Sequence, residues 1–137
     1  AAAALLRLAI LKNNERYREL AQTIFGEMAD SARRYPSGFG YALSAMDFLL
    51  SSPKEIAILG KDQADIKPLL QEVWRKYVPN KVVALGFVDD AEAIDALPLL
   101  QNRPLIDGRA TAYVCQNYTC KQPVTQPQDL LDQLTSV

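Results

Sequence analysis

The sequence contains no histidine. That absence removes the commonest general base, every Ser-His or Cys-His nucleophile pair within this segment, and the commonest metal ligand. The formal net charge is -1 and the basic residues are dispersed, so no stripe of Lys or Arg is available to hold nucleic-acid phosphates. No apolar run approaches the roughly 20 residues that cross a bilayer. We therefore expect neither a nucleic acid nor a membrane as partner.

Cysteine is scarce as well, with two residues in 137. This is far below the density of a disulfide-rich scaffold and favours a reducing, cytoplasmic setting. Both cysteines, Cys115 and Cys120, lie in the segment TAYVCQNYTCKQPV. A closed zinc site needs about four Cys or His ligands, so we expect no metal and no cofactor here.

The spacing of the two cysteines leaves two interpretations open, buried inert thiols or a redox-active or disulfide pair. Five steps along an extended strand span about 16 Å, whereas a disulfide needs Cα atoms about 4.4 to 6.8 Å apart. A bond therefore requires a turn within residues 116–119, which Asn117 favours.

Burial decides between these interpretations in our prediction. Tyr113 and Cys115 would share one face of a strand that is apolar on both sides, and burial raises the pKa of a thiol. We expect both thiols to be reduced, with Cys115 buried at the end of the third strand and Cys120 more accessible.

The first fifty residues carry helical patterns. Apolar residues recur every three or four positions in residues 15–34, and Asn13-Asn14 supplies a turn and cap before them. After the loop RYPSGFG, residues 41–50 are apolar on nearly all sides, which predicts a buried helix. This part of the chain is predicted to be all-helical.

The character of the chain changes near residues 51–54. KEIAILG and KVVALGF are short runs that contain β-branched residues and end in or near glycine, which predicts two strands. A helical pattern lies between them, so we predict a βαβ unit with parallel strands. That helix would turn Ile66, Leu69, Leu70, Val73, Trp74 and Tyr77 to one face. A third strand is predicted at residues 112–115 and a closing helix at residues 127–134, capped by Thr125. The predicted fold class is mixed α/β, a helical segment followed by a small, mainly parallel three-stranded sheet flanked by helices.

Two further patterns receive structural interpretations. Gly60 at a strand end suggests a phosphate-binding turn, but the fingerprint needs more glycines, so Gly60 and Gly86 are predicted to turn the chain after each strand. Acidic residues cluster after the second strand, where α/β sites form. We predict that Asp89 or Asp90 caps a helix there and that Glu92 favours its dipole, with paired-carboxylate catalysis as the alternative.

Two stretches, RYPSGFGYALSAMDFLLSSPKEIAILG and LPLLQNRPLIDGRATAYVCQNYTCKQPVTQPQDLLDQL, resemble a known family. They are similar to the C-terminal region of thioredoxin-domain-containing proteins of the YyaL and spermatogenesis-associated protein 20 type. The most specific match runs from Asp107 to Leu131. In that family a thioredoxin-like domain precedes an (α/α) toroid of the six-hairpin glycosidase type and a final α/β piece.

The resemblance implies an organisation and a role. Residues 1–52 would be terminal helices of the toroid and residues 53–137 a small C-terminal α/β domain. The chain would be a structural part of a larger cytoplasmic protein, either a carbohydrate-active or a redox enzyme, and not catalytic alone. Its partners would be the rest of that chain or, through exposed apolar helices, a second copy. The alternative is a non-catalytic module whose residues 113–118 dock the thioredoxin-like domain.

Overall fold

The computed structural model describes residues 1–136. Over these residues the chain forms six α-helices and one four-stranded mixed sheet, in two compact units, Ala1–Ser52 and Pro53–Val137. We call them unit 1 and unit 2. No helix in the described part of the chain is long and apolar enough to cross a membrane.

Unit 1 is entirely helical. Its elements are α1 (Ala2–Leu11), α2 (Glu15–Arg34), a short 3-10 helix (Pro36–Phe39) and α3 (Gly40–Leu50). Asn14 caps α2, because its side-chain oxygen accepts a hydrogen bond from the Arg16 amide at 3.0 Å. The predicted Asn cap and the all-helical character of this part of the chain are confirmed.

The prediction that α3 is a buried helix is wrong. Only Ala45 and Phe48 of this helix are buried, whereas Tyr41 is 80% and Leu50 82% exposed. The helix is apolar on nearly all sides, as expected, but unit 1 contains only two other α-helices that could cover it. A helix that is apolar all round is buried only where other surfaces surround it.

Unit 2 contains the sheet. Its elements are β1 (Lys54–Gly60), α4 (Gln63–Arg75), β2 (Lys81–Phe87), α5 (Ala91–Ala96), a 3-10 helix (Pro98–Leu100), β3 (Thr111–Gln116), β4 (Thr119–Cys120) and α6 (Pro127–Thr135). Strands β1 and β2 are parallel, with Ala57 opposite Ala84, and α4 makes the crossover between them. The predicted βαβ unit is confirmed.

The prediction of a three-stranded, mainly parallel sheet is wrong in strand number and direction. The sheet has four strands in the order β2-β1-β3-β4, and β3 is antiparallel to both of its neighbours. Strand β3 starts with Thr111 opposite Leu59, at the end of the sheet where β1 and β2 finish. A parallel third strand would need a connection that returns to the opposite end, whereas an antiparallel strand does not.

One face of the sheet packs on helices α4 and α6. The core there is fully apolar and consists of Ile56, Ile58, Ile66, Leu69, Val73, Ala110, Ala112, Val114, Leu130 and Leu134. Gly60 permits the close approach of α4, since a Cβ atom at that position would lie 2.5 Å from Cγ2 of Ile66. Gly86 lies inside β2, so it does not turn the chain as predicted. It faces Leu100 on the opposite side of the sheet.

The ends of α4 and α6 differ from the prediction. Helix α4 ends at Arg75, so Tyr77 lies outside it and is 91% exposed, while Trp74 packs against Lys81 with Nζ 4.5 Å from the ring centroid. Lys76 already has an extended backbone, with ψ of 144°, and Pro79 disfavours helical geometry at Val78. The residue that precedes α6 is Gln126, without a side-chain cap, so the assignment of Thr125 as cap is wrong.

Two lysines hold the end of α6. Lys54 Nζ donates hydrogen bonds to the carbonyl oxygens of Gln133 and Ser136, at 3.2 and 2.9 Å. Lys121 Nζ donates to the Gln133 carbonyl at 3.0 Å and to the Ser136 hydroxyl. The carbonyls of Gln133, in the last turn of α6, and of Ser136, just after it, are thereby tied to the first residue of β1.

Candidate functional site

A tight hairpin joins β3 to β4. Its two loop residues, Asn117 and Tyr118, have φ angles of 52° and 62°. Positive φ at both positions is characteristic of a type I′ turn, whose twist matches that of the flanking strands. Asn tolerates this conformation, whereas it is uncommon for Tyr. The turn predicted within residues 116–119 is confirmed, and it places Cys115 opposite Cys120.

The two cysteines form a disulfide, so the prediction of two reduced thiols is wrong. Their Sγ atoms are 2.02 Å apart and their Cα atoms 3.9 Å apart, and residues 1–136 contain no free cysteine. The neighbouring pair is hydrogen-bonded, since the Lys121 amide donates to the Val114 carbonyl. The cysteines therefore occupy the adjacent non-hydrogen-bonded position, where side chains come closest.

The predicted contrast in accessibility is confirmed. Cys115 is 2% exposed, whereas Cys120 lies in an exposed strand. Since the pair is bonded, the cysteine count no longer argues for a reducing compartment, and the cytoplasmic location stays a prediction.

Arg103 lies against the disulfide. Its Nη2 is 3.3 Å from Sγ of Cys115, and both terminal nitrogens are 3.9 Å from Sγ of Cys120. The guanidinium is fixed by a 2.7 Å hydrogen bond from Nε to the Leu99 carbonyl and lies over the Tyr113 ring, 5.0 Å from its centroid. The Tyr113 hydroxyl donates to the Pro104 carbonyl. The Leu99 carbonyl and the Tyr113 ring thus hold the Arg103 side chain in place.

Glu55 completes the charged surroundings of this site. It pairs with Cys115 across β1 and β3 and so lies on the same face of the sheet. Burial raises the pKa of the Glu55 carboxyl, and the positive charge of Arg103 partly opposes this. Burial also lowers the pKa of Arg103, against the influence of Tyr113 and Glu55. Burial raises the pKa of Tyr113, which Arg103 opposes.

This arrangement places a cation where negative charge on sulfur would develop. A neighbouring Arg lowers the pKa of a thiol, whereas apolar burial raises it. Our expectation of an inert Cys115 considered burial alone. The guanidinium acts in the opposite direction at the same sulfur atom.

Arg103 and Glu55 were missed as site residues. Arg103 precedes Cys115 by twelve positions in an irregular segment, and Glu55 is the second residue of β1, sixty positions before Cys115. Only one signal was readable in the sequence, namely that Tyr113 and Cys115 share a strand face. The core composition confirms that alternation, because Ala112 and Val114 face α4 and α6 instead.

The other candidates serve local structure. Asp90 caps α5 by accepting from the Ala93 amide at 3.0 Å, as predicted, and Asp62 caps α4 through the Asp65 amide at 2.9 Å. Asp107 lies in a tight turn with Gly108. Within residues 1–136 no three His, Cys, Asp or Glu side chains cluster so as to hold a metal ion.

The fold and the site define a mixed α/β unit with a cross-strand disulfide on its outermost strand pair. Over 128 residues, 92% of its length, the chain is similar to spermatogenesis-associated protein 20, with 33% identity to the Rattus norvegicus protein, 32% to the Homo sapiens protein and 31% to the Mus musculus protein. The chain spans 16% of the length of these relatives. No family model matches the chain, and no solved structure matches it significantly. The thioredoxin-like and toroid assignments stay predictions.

Proposed function

We propose that the chain is a structural, non-catalytic segment of a larger cytoplasmic protein. Residues 1–52 contribute terminal helices to an (α/α) toroid, and residues 53–137 form its C-terminal α/β domain. The length of the relatives supports this proposal, because the matched region is 16% of each of them. The whole protein would be a carbohydrate-active or a redox enzyme, and this segment would support its structure.

The observation that carries the proposal is the exposed apolar surface of unit 1. Its buried residues are mostly alanines, namely Ala2, Ala3, Leu6, Ala21, Phe25, Ala32, Ala45 and Phe48. Its exposed large apolar side chains are Leu8, Leu20, Tyr35, Tyr41, Leu43 and Leu50. Contiguous exposed apolar surface is typical of an interaction site, and three of these side chains, Tyr41, Leu43 and Leu50, lie on the single helix α3. The rest of the same polypeptide is the partner we assign to it.

Amide hydrogen exchange tests this assignment. The 137-residue chain and the longer protein that carries it are compared peptide by peptide. We expect the α3 amides to exchange rapidly in the short chain and to be protected at least about tenfold more in the longer protein. The amides of β1 and β3 serve as the internal control and should be equally protected in both. Equal protection of α3 in both proteins would contradict the proposal, as would dimer-dependent protection in the short chain.

A second candidate function is an interaction module that docks a thioredoxin-like domain. Tyr118 favours it, since this aromatic residue is 98% exposed at the tip of the hairpin beside the exposed Cys120. Tyr113, Val114 and Cys115 are buried, so the docking surface we propose is limited to residues 117–120.

Deletion and point substitution separate the two functions. If unit 2 docks such a domain, removing residues 54–137 from the longer protein loosens domain association and leaves turnover unchanged. Tyr118→Ala should weaken association in the same direction, with the exposed Tyr77→Ala as control. Unchanged association in both the deletion and Tyr118→Ala would reject the docking function.

A further inference from the structure

The two sulfurs of the disulfide differ in what can reach them. Cys120 lies on an exposed two-residue strand next to the exposed turn, whereas Cys115 is 2% exposed within β3. Thiol–disulfide exchange begins when an external thiolate reaches one sulfur. Access therefore selects Cys120 as the sulfur that is attacked.

The two sulfurs also differ in how well each can leave. Departure of a sulfur as thiolate is faster when its thiol pKa is lower. The nearer contact of Arg103 is with Cys115, at 3.3 Å, against 3.9 Å for Cys120. The cation thus lies closest to the sulfur that would leave when Cys120 is attacked. Access and charge select the same direction of reaction.

We propose that Cys115–Cys120 is a thiol–disulfide exchange site that accepts two electrons from a dithiol. A thiolate of the dithiol attacks Sγ of Cys120 and forms a new sulfur–sulfur bond. The Cys115–Cys120 bond breaks, and its electron pair leaves on Sγ of Cys115, beside the Arg103 guanidinium. Charge-assisted contacts of this kind are stronger than neutral ones, which favours the departing thiolate.

The second step completes the transfer. The other sulfur of the dithiol, deprotonated by solvent, attacks the mixed disulfide, and Cys120 leaves as a thiolate that takes up a proton from water. The dithiol ends as a disulfide, and Cys115 and Cys120 end as a reduced pair. The reverse sequence returns two electrons to an oxidised partner.

Among the described residues, two other ionisable groups that act on Arg103 are Glu55 and Tyr113. Glu55 opposes a thiolate when it is ionised. Burial raises the pKa of its carboxyl, and the positive charge of Arg103 partly opposes that rise. The Tyr113 hydroxyl donates a hydrogen bond to the Pro104 carbonyl, and the Tyr113 ring packs against the Arg103 guanidinium. The proposal goes beyond both proposed functions and does not depend on a larger protein.

The site of attack is tested on the intact oxidised chain with glutathione. The reaction is quenched in acid, the free thiol is alkylated in denaturant, and peptides are mapped by mass spectrometry. We expect glutathione on Cys120 and the alkyl group on Cys115, with at least about a tenfold preference. An equal distribution, or glutathione mainly on Cys115, overturns the proposal. So does a disulfide that is reduced only at urea concentrations that unfold unit 2.

The role of Arg103 is tested by the rate of reduction with dithiothreitol. Arg103→Gln should slow reduction about tenfold, since the leaving thiolate loses its cation. The matched control is Arg109→Gln, because Arg109 pairs with Asp107 at the surface, 3.4 Å apart, and should leave the rate unchanged. Arg103→Lys keeps a cation and should give an intermediate rate. A wild-type rate in Arg103→Gln overturns the role.

A titration covers the case in which Arg103→Gln folds poorly. In Cys120→Ser the remaining thiol is Cys115, whose ionisation is followed by thiolate absorbance. We expect its pKa to lie below the ordinary value of about 8.5, and to rise when Arg103→Lys is combined with Cys120→Ser. A Cys115 pKa above the ordinary value would show that burial outweighs the guanidinium and would overturn the proposal.

Discussion

The two units bury different kinds of side chain. In unit 2 the core is built from large branched residues such as Ile56, Ile58 and Leu130, each fully buried. In unit 1 the buried set is mostly alanine, and residues as large as Tyr41 and Leu50 remain in water. The number of apolar residues is therefore a poor guide to how far a segment supplies its own core.

The difference lies in what each pattern has to pack against. Unit 2 has a sheet with two helices packed on one face. The sheet and these helices cover each other's apolar side chains within the 85 residues of the unit, 53–137. Unit 1 has three α-helices and one 3-10 helix. We expect the stability of unit 2 to depend strongly on its buried side chains. The stability of unit 1 should depend only weakly on its exposed apolar side chains.

The largest effect should come from truncating the core of unit 2. Ile58→Ala removes a fully buried side chain and should lower the free energy of unfolding of unit 2 by about 3 kcal/mol. Leu50→Ala in unit 1 is the matched truncation and should change stability by less than about 0.5 kcal/mol. Urea unfolding followed by hydrogen exchange of peptides from each unit measures both. Equal losses of free energy of unfolding from the two substitutions would contradict the proposed difference between the units.

A crowded glycine provides the next effect. Gly60→Ala would place a Cβ atom 2.5 Å from Cγ2 of the buried Ile66, a branched side chain with little freedom to move aside. We expect a loss of about 1 to 3 kcal/mol from overpacking. Fluorescence of Trp74, the only tryptophan in the sequence, follows the unfolding of unit 2. A neutral result would mean that α4 can shift away from the sheet.

How much of this was readable from sequence depended on the range of the interactions. The strand bounds at residues 54–60 and 81–87, a cap within Asn13-Asn14 and a cap at Asp89 or Asp90 were predicted, since period, propensity and capping are local. The short β4 and the disulfide were not predicted although both are local, because the burial of Cys115 was given more weight than the Asn117 turn that brings the two cysteines together. The antiparallel direction of β3 was not predicted because it depends on a pairing between distant segments. Arg103 was missed for the same reason, since only the tertiary fold brings it to Cys115.

The same kind of substitution, loss of a helix cap, can be made in both units. Asn14→Ala in unit 1 and Asp62→Ala in unit 2 each remove one side-chain acceptor from a helix start. Each should cost about 1 kcal/mol, a local effect that does not depend on the core. Hydrogen exchange of the first turns of α2 and α4 reports the two losses. A cost confined to unit 2 would show that unit 1 already frays at that end.

A substitution of opposite sign sharpens the contrast. Gly26 lies inside α2, and a Cβ atom there would meet nothing within 4 Å. Gly26→Ala should stabilise unit 1 by about 0.5 to 1 kcal/mol, because alanine has the higher helix propensity. Thermal unfolding followed by helical circular dichroism measures the gain. A loss of stability would reveal a contact with this face of α2.

The smallest effect concerns pH and Glu55. Because burial raises its pKa above the ordinary 4.5, the folded chain holds this proton more tightly than the unfolded chain. The stabilisation is therefore fully present below pH 4.5 and is lost as pH rises through the folded pKa. Glu55→Gln cannot ionise, so relative to the wild type its urea midpoint should be higher at neutral pH than in acid. The same difference at both pH values would contradict the assigned direction.

The bonds at the end of α6 have a consequence for protein engineering. Lys54 stands at the entry to unit 2, and its ammonium group lies 2.9 Å from the carbonyl of Ser136, near the other end of the unit. Domains whose two ends lie together tolerate insertion into host loops and circular permutation. A short linker from residue 136 to residue 53, with new termini opened in the exposed segment between α4 and β2, should give a permuted unit that keeps the sheet and its hairpin.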